Sequence, residues 1–439
     1  MRLGLMLKGT SCRALVLEGR SVVSVAEQRQ ASSLAEALDS VLSSLRLQFG
    51  SQITDVTADV GRVLAAARPG NVVAVRISPR PPADQFHNTR LPVHIEPAVT
   101  KTVHVQGGHD LRGRPLATLG LNAFLLELPS ILSGGLRNIA ITAVGSTASA
   151  EHETRIADAI LSNNSETRIS ISSDFYSSAF RDRDYTAVLN SALMESGEEL
   201  AAMLDEAGKR HFPAAALSYA RNDGGRAPLA RLAMTPVHAL RPEEAMTILG
   251  AATLGGLCDG EVVICTDEGV SVGNMRGGLP VARSLIRQGY EASLATNATV
   301  VEPYTANHPV RPGIKSVVAD IRTSQATRPE YGLVPTLPRA RDLTLVGCAA
   351  TPLTAWIDRL EKVSGQADLH RVQHRAEEEA SSAAVQLGAS PTDTRIIESN
   401  VYAMPYGNPG IVRIRVQAAG GTCGSEERAV DAYAREATA

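Results

Sequence analysis

Aromatic side chains are scarce in this chain: six Phe, nine Tyr and one Trp among 439 residues. Its cores must be aliphatic, built from Ala, Val, Leu and Ile. Cysteine is equally sparse. Cys12, Cys258, Cys265, Cys348 and Cys423 are scattered, odd in number and form no CxxC pair, which argues against a disulfide framework and a zinc cluster and fits reduced thiols in the cytoplasm. Charge of one sign is missing too, with 43 basic against 46 acidic residues and a net charge of -3. No basic face of the kind needed by nucleic acid or anionic lipid is expected. Long hydrophobic runs are also absent at the start, where two short apolar runs are broken by Lys8, Gly9 and Thr10. That pattern is neither a signal peptide nor a membrane span.

What is present is an ordinary balance of 44% hydrophobic and 20% charged residues over a length that exceeds a single core. Residues 2–7 and 13–17 read as strands around a KGTS bend, with a third short strand at 21–25. Residues 33–49 carry helical spacing in Leu34, Leu38, Val41, Leu42 and Leu45. Strands are expected at 72–77, 138–144, 167–172, 215–219, 343–346, 394–398 and 412–418, and helices at 151–163, 186–210, 242–256 and 371–387. Such alternation defines an α/β protein. The Pro-rich stretch 79–97 reads as a loop, 107–116 as a pair of turns, 299–338 as an irregular covering segment and 425–439 as a fraying end.

The most telling stretch is 259–280, DGEVVICTDEGVSVGNMRGGLP, which has the frame of a strand, phosphate loop and strand without a phosphate loop's residues. Such a bend needs small residues, so that N–H groups can approach anionic oxygens, and carboxylates placed to hold Mg²⁺ or a water. Here the bend is Thr266, Asp267, Glu268 and Gly269, and the strand before it ends in Ile264 and Cys265. Adjacent carboxylates at the tip repel a polyphosphate, and neither Ile264 nor Cys265 ligates a hard cation. His370 and His374 are spaced to share a helix face, but HRVQH lacks the Glu of a zinc-binding HExxH and no third ligand is in view, so no metal site is expected. Cys348 has no base that the sequence can place beside it and reads as a buried thiol.

The order of these pieces resembles the hydantoinase A and 5-oxoprolinase group. The resemblance is carried by GGLRNIAITAVGSTASAEHETRIADAIL at 134–161, DFYSSAFRDRDYTAVLNSAL at 174–193, SYARNDGG at 218–225 and LGASPTDTRIIESNVYAMPYGNPGIVRIRVQAAG at 387–420. It implies an α/β fold of two actin-like (ribonuclease H-like) subdomains plus a small C-terminal α/β segment, divided at 1–165, 166–365 and 366–439. It also marks His152, Glu153, Asn190, Asn222 and Asp223 as candidate cleft residues. For His152 and Glu153, helix capping and packing serve as well; for Asn222 and Asp223, an ordinary polar turn does.

The departures from the group fall where its members bind nucleotide. The first hairpin of the group reads D-x-G-G-T-x-T-D, and here Met6 and Arg13 stand at its two acids. In the second hairpin Ile264 and Ser271 stand at the acids, with Thr266 and Asp267 at the glycines. The S-G-P turn falls on Leu240, Arg241 and Pro242, and the G-G-G adenosine turn on Gly347, Cys348 and Ala349. Gly9, Thr10, Gly269 and Gly347 are then remnants of degenerate nucleotide loops. The expectation is a non-catalytic structural or regulatory subunit with no cofactor, partnered by itself or by a hydantoinase B-like subunit. The alternatives are an ATP- and Mg-dependent hydrolase or carboxylase acting on a cyclic amide such as a hydantoin or 5-oxoproline, and an ATP-independent enzyme binding a small molecule in the same cleft.

Overall fold

The computed structural model describes residues 1–81, 91–132, 135–288, 292–303, 313–322, 336–337, 342–404 and 410–421. Most of the 299–338 segment, part of the 79–97 loop and the 425–439 end lie outside the described residues. The α/β class holds, with helices interleaved among several sheets.

The largest sheet has nine strands. Five of them, Ser21–Gln28, Ser11–Glu18, Arg2–Lys8, Asp55–Asp59 and Ala216–Ala220, lie side by side in that order. The first three are an antiparallel meander, and the last two run parallel to Arg2–Lys8 and to each other. The same order recurs in a second sheet, from Leu279–Pro280 through Gly269–Arg276 and Gly260–Thr266 to Ser316–Asp320 and Thr336–Leu337. There too the meander is antiparallel and the two following strands are parallel. One topology is thus used twice, each time opening on a hairpin.

Between Asp55–Asp59 and Ala216–Ala220 the chain builds a separate parallel sheet of Val99–Gln106, Val72–Ser78, Asn138–Ala143 and Arg168–Ile171. Strand side chains alternate between faces. Val73, Val75 and Ile77 therefore pack with Phe124, Leu128 and Ile156, while Val72 and Ala74 turn to Tyr185 and Val188 of the 32-residue helix Phe180–His211. Burial on both faces explains the near-continuous apolar strands.

The sequence reading needs correction at the C-terminal end. Residues 343–346, expected as a strand, open the helix Leu343–Ala350, whose residues are buried nearly all round. Without a polar face a short apolar run carries no helical period, so strand and helix are indistinguishable by pattern. The stretch after 366 contributes two strands to the first sheet. Thr394–Ala403 and Ile411–Gly420 pair in sequence onto Leu353–Lys362, which meets the sheet at Arg226–Pro228. Helix Gln366–Gln386 covers these strands through Val372, Ala376, Ala380 and Ala384. Cys258 is disulfide-bonded, against the expectation of reduced thiols throughout, while Cys12, Cys265 and Cys348 are free and buried.

Candidate functional site

The two hairpins share one geometric feature that the sequence could not display. Met6 lies directly opposite Arg13 across the first ladder, and Ile264 lies directly opposite Ser271 across the second. Directly opposed residues bring their Cβ atoms within about 5.5 Å. These are the four positions where the resemblance places acids, so each hairpin offers one cross-strand pair at which two carboxylates would face each other. Neither pair contains an acid. Arg13 is ion-paired with Asp342 and lies 3.6 Å from Glu27. In the first turn, Lys8, Gly9 and Thr10 are exposed, Ser11 donates to the Lys8 carbonyl at 2.7 Å, and Gly9 has φ of 55°, which its lack of a Cβ permits.

A cavity of about 680 Å³ lies between the repeated units. Asp59 comes from the end of strand Asp55–Asp59, Gly61 and Arg62 from the helix Gly61–Ala66 that follows it, Thr266, Glu268 and Ser271 from the second hairpin, and 240–247 from the start of helix Glu243–Gly255. Asp59 is a feature that the sequence reading missed. Only 2% exposed, it accepts the Gly61 N–H at 2.9 Å, and burial pushes its carboxyl from 3.8 up to about 6. The nearby guanidinium does not offset this, because Arg62 pairs with Glu243 through contacts of 2.7, 2.8 and 3.1 Å. The walls carry Asp59, Glu243, Glu244 and Glu268 against Arg62 and Arg241. An acid excess of this kind repels a polyphosphate unless cations bridge them. Among the described residues no group of three His, Cys, Asp or Glu is placed to hold a metal ion.

Gly347, expected in an adenosine turn, sits inside helix Leu343–Ala350 at its crossing with helix Glu243–Gly255. A Cβ on Gly347 would stand 1.9 Å from the Met246 carbonyl oxygen, and one on Gly250 would stand 1.9 Å from that of Leu343. The glycines bring the two helices together. Cys348 beside Gly347 is fully buried, and burial pushes its thiol well above the ordinary range. The histidine pair is exposed, with His374 lying 3.4 Å from Glu378.

Of the five candidate cleft residues, Asn190 and Asn222 both bond Val237, and Glu153 and Asn190 both bond the 170–173 stretch. His152 and Glu153 begin helix Glu151–Asn163. His152 accepts the Gly108 N–H through Nδ1 at 2.9 Å and stacks on His109 with ring centroids 4.1 Å apart. Burial lowers the pKa of both rings. Glu153 is fully buried and accepts from Ala143 N at 2.6 Å, Ser172 Oγ at 2.6 Å and Ser173 N at 2.8 Å. Asn190 bonds Ser170 Oγ and the Met234 carbonyl, tying helix Phe180–His211 to 234–237. Asn222 donates to the Val237 carbonyl and accepts from Arg241 N, while Asp223 accepts from Gly225 N at 3.1 Å and Trp356 Nε1 at 2.5 Å. In this state their polar atoms are engaged in holding segments together, the reason buried polar groups are tolerated. Asn222 also lines a second cavity, beside Arg241 and Arg415, and Asn190 a third, beside Asp174 and His238.

No protein-family model matches this sequence, and no curated protein does. Solved structures do match, among them two that cover nearly the whole chain. A nucleotide-free acetone carboxylase is 12% identical, with a TM-score of 0.66 and coverage of 95% of this chain and 87% of its own. An ATP-dependent caprolactamase from Pseudomonas jessenii is 11% identical, with a TM-score of 0.69 and the same coverages. Both are ATP-dependent enzymes. At such identities the likeness is one of fold, a mixed α/β one.

Proposed function

We propose that this chain is a hydantoinase A/oxoprolinase-like protein whose nucleotide site has been lost and which serves as a structural or regulatory subunit without a cofactor. The observation that carries this reading is the pair of opposed positions in the hairpins, Met6 with Arg13 and Ile264 with Ser271. Neither pair can hold a hard cation, and the acid-rich cavity beyond them does not replace the missing ligands. Partnership is part of the proposal, with a second copy or a hydantoinase B-like subunit in the cytoplasm. Strand Ser21–Gln28 supports it, since it ends the nine-stranded sheet with Val22, Val23 and Val25 each more than 40% exposed. An open apolar edge is a ready template for pairing.

Titration calorimetry with Mg-ATP on the full chain is the test, repeated after co-purification of any partner. The expected result is no binding tighter than about 1 mM, because several charge-assisted contacts worth roughly 1.5–3 kcal/mol each are gone. Micromolar binding with turnover would establish the second reading, an ATP-dependent hydrolase or carboxylase acting on a cyclic amide. That reading draws on the ATP dependence of both structural neighbours. Light scattering tests the partnership, with an interface above about 1,000 Å² expected to hold at micromolar concentration. Among the described residues no helix is long and apolar enough to cross a membrane.

A further inference from the structure

A cavity of about 860 Å³ adjoins the cleft of Asp59, where the second unit meets the C-terminal strands. Five arginines line it: Arg241, Arg276, Arg283, Arg413 and Arg415. Two of them are fixed. Arg413 and Arg415 project from the same face of strand Ile411–Gly420, being two residues apart. Arg413 is clamped by Asp358 at 2.6 and 2.7 Å and by Ser284 Oγ at 2.7 Å, with its guanidinium 3.9 Å from the Tyr176 ring centre. Arg415 is 5% exposed, bonds Glu398 and the Ala282 carbonyl, and lies over the Trp356 ring at 4.2 Å.

The other arginines are not fixed in this way. Arg283 is spent on Glu302 at the surface. Arg241 and Arg276 are exposed to the cavity mouth and make no ion pair or side-chain hydrogen bond among the described residues. Set against these five cations are Glu244 and Glu398 on the walls and Asp358 and Glu302 behind Arg413 and Arg283, four anions in all, which leaves one positive charge. A single residual charge matches a monoanion. A phosphate dianion would leave negative charge facing Glu244 and Glu398. Planar guanidinium groups suit a carboxylate, and Val281, Leu285 and Val300 give the cavity an apolar wall for a carbon chain.

We propose that this cavity binds a small organic carboxylate, with Arg241 and Arg276 supplying its counter-charge. The cavity shares Arg241 and Glu244 with the cleft of Asp59, whereas Arg276 lines this cavity and not that one, so the Arg276 variant tests the site independently of the reading of the neighbouring cleft.

The chain's one tryptophan, Trp356, lies against Arg415 and so reports on the site. The full-length protein is titrated with hexanoate, hexanamide and inorganic phosphate at matched ionic strength, reading Trp356 fluorescence and heat. Saturable binding of hexanoate is expected, with none of hexanamide and weaker binding of phosphate. Arg241→Ala and Arg276→Ala should each weaken hexanoate about tenfold, the loss of one charge-assisted contact, while Arg155→Ala on a distant helix leaves it unchanged. Because both arginines are exposed and unpaired, the variants should melt like the parent, and that is measured alongside. No saturable response to hexanoate up to about 10 mM overturns the proposal, as does an equal response to hexanamide or one unaltered in both variants. Phosphate binding tighter than hexanoate overturns the assignment to a monoanion.

Discussion

Replacing Asp59 by Asn should stabilise this protein at neutral pH, an unusual sign for a buried polar residue. Asp59 is 2% exposed, takes one hydrogen bond from Gly61 N and has no cation of its own, since Arg62 is committed to Glu243. Burial is the largest cause of its raised pKa, from 3.8 to about 6, and the Glu243 charge pushes the same way. A raised carboxyl pKa means that between about pH 4 and 6 the folded state holds a proton that the unfolded chain has released. The contribution to stability is therefore fully present below about pH 4 and is lost as pH rises through about 6. A displacement of about two pH units corresponds to roughly 3 kcal/mol. Asparagine keeps an oxygen for the Gly61 N–H and never ionises. Urea unfolding from pH 4 to 8 should show Asp59→Asn gaining about 1–3 kcal/mol over the parent at pH 7, with the advantage vanishing towards pH 4. A variant that is less stable at pH 7 would refute the reasoning, because it would mean that the ionised carboxylate has a favourable partner in the folded protein.

Two further predictions concern residues that the sequence marked as functional. Glu153→Ala leaves the donors on Ala143, Ser172 and Ser173 without their acceptor in a buried place, and should cost about 3 kcal/mol or more in thermal or urea unfolding. A change within about 0.5 kcal/mol would show that water replaces the carboxylate freely. Gly347→Ala puts a methyl group where the Met246 carbonyl oxygen stands 1.9 Å away, and should lower stability by about 2 kcal/mol or more by parting the two helices. An unchanged melting temperature would contradict that packing role.

How far the sequence could be read depended on whether a residue's partners were local. Helix Glu151–Asn163 was legible to the residue because its acidic first turn and the spacing of Ile156 and Ile160 are both local signals. Helix Leu343–Ala350 was not, since burial on every side removed its period. Strand Asp55–Asp59, DVTAD, is not marked in the sequence, since aspartate is depleted in strands and two stand in five residues, yet Asp59 is buried. The candidate site failed to be legible because its partners are not local. Resemblance singled out Asp223, but the Trp356 indole that engages it is 133 residues away. Asn222 likewise meets Val237 and Thr296, and Asn190 meets Met234. Sequence exposes the polarity of such residues and hides the contacts that decide their role.

On the proposed reading, the geometry of the hairpins accounts for a fold that keeps no acids at these positions. Two carboxylates directly opposed across a ladder repel one another, and only a shared cation makes the pairing favourable. Once the cation is no longer needed, each pair becomes a place where substitution relieves strain. Ile264, at 5% exposure, gains apolar burial, and Arg13 gains Asp342 as an ion-pair partner. Asp59 belongs to neither pair and lies on the neighbouring strand, where no opposed carboxylate repels it. On the proposed reading nothing favourable is left for the Asp59 carboxylate to do, and its removal stabilises the fold. On the ATP-dependent reading the same removal abolishes turnover, so one substitution, assayed for both unfolding and Mg-ATP hydrolysis, separates the two.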